Sequence, residues 1–109
     1  MTDDGERIAA DFDQAVNMTA AELERWLDTE ESKSVGDKSG GEESTGHRSG
    51  RRIIEILRKR KDDLGEDDYA HMRKVIGYVR RHLTQRPSGD VKETRWRYSL
   101  MNWGHDPLK

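Results

Sequence analysis

Residues Glu66-Asp67-Asp68-Tyr69-Ala70-His71-Met72-Arg73-Lys74-Val75-Ile76-Gly77-Tyr78-Val79-Arg80-Arg81-His82-Leu83-Thr84-Gln85 decide the fold. Tyr69, Met72, Val75, Ile76, Val79 and Leu83 recur at three- and four-residue steps, the period of one face of an α-helix and not of a strand. Three acids in the first turn complement the positive end of the helix dipole. Arg86-Pro87 closes the segment, because the residue before a proline is pushed out of helical backbone. Away from the apolar stripe, at ~100° per residue, Arg73 lines up with Arg80 and Lys74 with Arg81. The spacing predicts a helix with one apolar and one basic side.

Working upstream, Leu64-Gly65 breaks the chain, and a helix from Ser49 or Gly50 to about Asp62 turns Ile53, Ile54, Ile56 and Leu57 inward. It repeats the basic pattern, with Arg51 in line with Arg58 and Arg52 beside Lys59. Residues 34–50 hold five glycines, four serines and one apolar residue, Val35, and read as a long mobile loop. Thr19-Ala20-Ala21-Glu22 is a capping box that opens a helix carrying Leu23, Trp26 and Leu27, with Met18 placed to staple onto Leu23. Residues 5–17 form a first, acidic helix on Ile8, Phe12, Ala15 and Val16. Downstream, a Pro87-Ser88-Gly89 turn precedes a short aromatic helix over about 90–104, opened by Asp90 with Glu93. It carries Trp96, Leu100 and Trp103 and ends on Gly104. No strand is predicted: the expectation is an all-α single domain of four or five helices, with residues 51–86 as a basic helical pair.

Composition narrows the function. The chain has 109 residues and no cysteine, which excludes a disulfide framework and a thiolate zinc site and suits a reducing cytoplasm. Its first residues are acidic, and no apolar run approaches the ~18 residues of a membrane span. Leu, Ile, Val and Phe together number 18, so the core must be small and depend on its three tryptophans. The net charge of −2 conceals a division: residues 1–46 hold 13 acids and 4 bases, whereas residues 47–109 hold 9 acids and 16 bases. Such asymmetry fits a polyanion-binding half tied to an acidic half, or two halves that attract each other within one fold.

Several constellations bear on chemistry. A run of like charges on one helix face is tolerable as a plainly solvated surface but favours a polyanion, or an acidic protein surface, that answers it. Gly77 sits in the basic face at a cost of about 1 kcal/mol relative to alanine, which points to a close approach by a nucleic-acid backbone or by another helix. Gly41 to Gly46 has the spacing of a phosphate-binding loop. However, His47 and Arg48 stand where Lys and Ser/Thr belong and no strand precedes, so nucleotide hydrolysis of that type is excluded. What remains is a glycine-rich entry to a helix N-terminus, with free N–H donors for a phosphate and Arg48, Arg51 and Arg52 alongside, or else a linker whose Ser49 caps the helix. His71 and His82 share a face but lie about 16 Å apart along it, too far for one metal ion. No nucleophile–base pairing stands out, and the chain is read as non-enzymatic and without a cofactor. The terminal aromatics, interleaved with arginines, either stack bases or pack the tail onto the domain.

The stretches Ser44-Thr45-Gly46-His47-Arg48-Ser49-Gly50-Arg51, His71-Met72-Arg73-Lys74-Val75, Gln85-Arg86-Pro87 and Arg95-Trp96-Arg97-Tyr98-Ser99-Leu100-Met101-Asn102-Trp103-Gly104-His105-Asp106-Pro107 carry a resemblance to a family of small, largely actinobacterial proteins of unknown function, some labelled DNA-binding. The resemblance implies no catalytic or binding residues. Glu22-Leu23-Glu24-Arg25-Trp26-Leu27, followed by a loop and a basic helix, is similar to helix-extended-helix DNA-binding modules of the SAP type, with a longer loop.

The sequence therefore predicts a cytoplasmic, nucleoid-associated protein that contacts DNA, or RNA, through phosphates. Its site residues are Arg48, Arg51, Arg52, Arg58, Lys59, Arg73, Lys74, Arg80 and Arg81, which merge into one cationic sheet. The alternative is an adaptor whose basic face takes an acidic protein partner. A homodimer would raise avidity for a duplex. Acids from the first forty-six positions set against these cations would weaken the case.

Overall fold

Met72, Val75, Ile76 and Val79 are buried as their spacing requires, on the longest helix of the chain. The structure is a computed structural model and describes residues 2–35 and 44–109. Its helices are α1 (Thr2–Ala15), α2 (Ala20–Leu27), α3 (Glu30–Ser34), α4 (Thr45–Arg58), α5 (Glu66–Leu83) and α6 (Arg95–Asn102), with a 3-10 turn at Lys61–Asp63. No strand occurs among the described residues. The fold class is all-α, as predicted, and no described helix is long and apolar enough to cross a membrane.

Two helix pairs make the body. α1 lies along α5 and buries Ala9, Phe12 and Ala15; α2 lies along α4 and buries Leu23 and Leu27. α6 touches α2, α3, α4 and α5, and its Trp96 and Leu100 join the two halves of one core. The tail after α6 is tied down by its turn. Gly104, at φ +83°, adopts the left-handed backbone that a C-terminal cap needs. Its N–H and that of His105 reach Met101 and Leu100 carbonyls at 2.9 and 3.0 Å. Asn17 then exchanges two hydrogen bonds with the Asp106 backbone at 2.8 and 2.9 Å, while Arg97 forks onto the Asp106 carboxylate at 3.1 Å on both oxygens. Trp96 and Trp103 are buried, so the aromatics of the tail pack it onto the domain.

The Thr19 capping box forms in full, with bonds of 2.9 and 3.1 Å. Several predicted boundaries move. The acidic first helix spans Thr2–Ala15 instead of 5–17. Part of the expected loop at residues 34–50 is helix: α4 begins at Thr45, where the Ser44 hydroxyl accepts the His47 N–H at 3.1 Å. Its Gly46, Ser49 and Gly50 are buried because they let neighbouring helices approach, so small residues that read as a loop serve packing instead. Ser49 accordingly caps nothing. Residues 36–43 lie outside the described residues. α4 stops at Arg58 instead of Asp62, once its apolar pattern is exhausted. α3 is an additional helix, capped by Thr29 at 3.1 Å, in a segment with no apolar periodicity. α6 starts at Arg95, because Thr94 caps it while Asp90 accepts the N–H of Lys92 in a turn of its own.

Candidate nucleic-acid interface

Of the nine cations named from the sequence, four are held by acids. Asp68, at position three of α5 and 2% exposed, takes both Arg52 and Lys59 at 2.8 Å and accepts the Gly65 N–H at 3.0 Å. Arg52 approaches the second carboxylate oxygen outside hydrogen-bond alignment, so that contact is charge alone. The Lys59 hydrogen bond, followed by the Gly65 N–H, holds the Asp68 carboxyl below its ordinary range, and it stays ionised. Arg58 meets Glu24 of α2 at 3.1 Å, and Arg80 meets Asp11 of α1 at 3.5 Å. These last two acids come from the acidic half, and both pairs are exposed enough to be weak. The expected continuous sheet is therefore divided: Arg52 and Lys59 serve an internal counterion, and Arg58 and Arg80 are lightly engaged.

The remainder behave differently. Arg48, Arg51, Arg73, Lys74 and Arg81 are exposed. No carboxylate of the described residues lies at ion-pair distance from Arg48, Arg73, Lys74 or Arg81. Lys74 and Arg81, two turns apart on α5, border a cavity of about 290 Å³ between the head of α4 and the α5–α6 seam. Thr45 and Gly46 contribute from α4, Tyr78 from between the two cations, and Ser99 and Trp103 from α6 and its end. No acid lines it.

The aromatic wall belongs to a stack that sequence spacing did not disclose. His71, Trp103, Tyr78, His82 and Trp96 follow one another at centroid distances of 6.3, 4.2, 5.1 and 6.4 Å, each pair stacked, and Arg86 lies 5.4 Å over the last ring. His71 and His82, too distant for one metal, have Trp103 and Tyr78 between them, and no group of three or more metal-ligating side chains occurs among the described residues. Burial, reinforced by Arg52 and Lys74, pushes His71 below its ordinary value, and burial does the same to His82. Burial raises the Tyr78 phenol.

Gly77 is not the notch that its sequence position implied. A Cβ there would meet only the Arg81 guanidinium, at 3.2 Å, so the missing side chain leaves room for that cation to fold back over its own helix. Gly46 and Gly50 make the close approaches instead: a Cβ on Gly50 would lie 2.7 Å from the Asn102 carbonyl, and one on Gly46 3.2 Å from the Trp103 indole nitrogen. Asn102 itself is a buried hub. Its side-chain oxygen accepts from Trp26 and Ser32, and its amide donates to the Ser32 carbonyl. Sequence reading passed over Thr45, Gly46, Tyr78, Ser99 and Trp103 because only packing brings them together. The one signal in the sequence was the glycine-rich entry ahead of Arg48.

No curated protein and no solved structure matched the chain. A family model does match, over residues 11–101, from the middle of α1 to the last turn of α6. The match includes every residue of the cavity except Asn102 and Trp103, and the chain belongs to the family described as Protein of unknown function (DUF3140).

Proposed function

We propose that this chain binds nucleic acid, DNA in the first instance, through phosphates and with little discrimination among sequences. The observation that carries the reading is the group Arg48, Arg73, Lys74 and Arg81, exposed and unanswered by any described carboxylate in a chain that has acids to spare. Cations left unneutralised in such a chain favour a polyanion, since each phosphate they engage releases condensed counterions. Contacts of this kind position a protein on a duplex without reading its bases. Lys74 offers a mobile point charge and Arg81 a planar fork suited to two phosphate oxygens. Asp11 and Glu24 compete with phosphate for Arg80 and Arg58 and lower the affinity at rest.

A gel-shift titration of duplex DNA at two salt concentrations tests this. Lys74→Glu with Arg81→Glu lowers affinity and reduces the salt slope by about 2, one for each phosphate that is no longer engaged. Arg80→Glu, at a cation already shared with Asp11, has a smaller effect on both. A second reading is favoured by the same two pairs, because the basic face already accepts carboxylates from α1 and α2: an acidic protein partner in place of DNA. Loss of all duplex binding by the unmodified chain at physiological salt would select it.

A further inference from the structure

We infer that the cavity at the head of α4 is a seat for a phosphate monoester, a deepening of the nucleic-acid reading in which the ligand is a terminal phosphate and not an internal diester. The first ground is the α4 terminus. With Ser44 committed to the His47 N–H, the N–H groups of Thr45 and Gly46 have no partner among the described residues. No acid occupies the first turn, in contrast to α5, whose first turn holds Glu66, Asp67 and Asp68. Among the described residues, no acid answers the dipole end of α4.

The second ground is independent of the helix end. Trp103 is 5% exposed and lines the cavity, and its indole N–H makes no hydrogen bond among the described residues. The nitrogen is the atom nearest to where a Gly46 Cβ would stand, so it faces the α4 head. The other two indoles differ: Trp26 donates to Asn102 at 2.8 Å and Trp96 to the His82 carbonyl at 2.7 Å. The nitrogen is reachable from the cavity, so its hydrogen bond goes to water or to an acceptor seated there. Indole N–H, backbone N–H, Lys74 and Arg81 are all pure donors, and the one amide in the lining, Asn102, is engaged with Ser32 and Trp26. Thr45, Tyr78 and Ser99 add hydroxyls that donate as well as accept, so the lining suits a negatively charged ligand rich in acceptors.

Donor number separates monoester from diester. A monoester carries a charge of about −1.5 to −2 and three free oxygens, enough for two cations and the inner N–H groups. An internal diester has fewer oxygens to give, and chain running from both sides. At about 290 Å³ the cavity lies just below the range of small-ligand sites, roughly 300–1,000 Å³, with room for a phosphate group. Two sources share this chemistry, a 5′-phosphorylated nucleic-acid end and a free small phosphate ester.

The test follows the Trp103 indole N–H resonance of the full chain, assigned by its loss in Trp103→Phe. Inorganic phosphate shifts it saturably, and leaves the Trp26 and Trp96 indole signals in place. A short 5′-phosphorylated DNA strand binds at least about tenfold more tightly than its 5′-hydroxyl counterpart. Lys74→Gln with Arg81→Gln, both surface changes, brings that ratio close to one. Gly46→Ala, which intrudes on the indole nitrogen, does so without altering charge. If phosphate leaves the Trp103 signal unmoved and the two strands bind alike, the monoester seat is overturned while backbone binding stands. If phosphate and a 5′-mononucleotide saturate the site and an attached strand adds no affinity, the seat stands with a small ester as its ligand, and the nucleic-acid reading is the one that fails.

Discussion

Asp68 takes two hydrogen bonds and one further cation, and thereby sets two properties against each other. Arg52, Lys59 and the Gly65 N–H converge on it, joining the end of α4 to the start of α5 across the 3-10 turn. Its side chain is 3% exposed, whereas those of Arg52 and Lys59 are 32% and 39% exposed, so the carboxylate is covered by the cations it binds. Asp68→Asn keeps the shape and removes the charge. Both cations can regain water, which keeps the loss of stability to about 2 kcal/mol, the scale of a hydrogen bond to a charged group. The freed cations then join the phosphate-binding face. A lower urea midpoint together with a steeper salt dependence of duplex binding is the expected pair of results. A stability loss without any change in salt slope would show that Arg52 and Lys59 do not reach nucleic acid.

At the level of the helices, two interior glycines give opposite predictions. Gly77 meets only the mobile end of Arg81, so Gly77→Ala stabilises α5 by about 1 kcal/mol. Gly50 faces the Asn102 carbonyl and the Leu27 side chain, where a methyl group has nowhere to go. Gly50→Ala costs about 1–3 kcal/mol despite its better helix propensity. Thermal midpoints of the two variants, moving in opposite directions, check both. The same pair explains how much was legible beforehand. α5 announced itself, because its apolar period, its acidic start and its proline stop all agree. The first turns of α4 did not, since a glycine that a turn requires and a glycine that a crossing helix requires look identical until the partner is known. α3 was hidden for a related reason: its Ser32 is fully buried by Asn102, a contact with no periodic signature. The cations of the site were readable from helical spacing, but their division was not. Asp68 looks like an ordinary dipole complement, and Trp103 like ordinary core, until the fold sets one against Lys59 and the other against Gly46.

Across the whole molecule, the shifted groups that govern acid sensitivity have one sign, and their ordinary values separate them into two steps. His71 and His82 are held below the ordinary histidine value chiefly by burial, so the unfolded chain binds protons more readily than the folded one. Their contribution to stability is complete above about pH 6.5 and is lost as the pH falls toward their folded values. Asp68 is lowered by Lys59, and Asp106 by Arg97 against the opposing effect of burial. Their contribution is complete above about pH 4 and is lost only below it. Unfolding midpoints should therefore decline once as the pH falls below about 6.5, and again below about 4. The first step belongs to the ring stack that joins α5 to α6. His82 has a buried Nε2 with no partner among the described residues, so His82→Phe keeps the ring between Tyr78 and Trp96 and removes both the proton site and the orphaned nitrogen. That variant gains about 1 kcal/mol near neutrality. Combined with His71→Gln, it removes the decline that begins below about pH 6.5 while leaving the strong-acid step intact. If the double variant still shows the first decline, the coupling of the stack to pH is wrong.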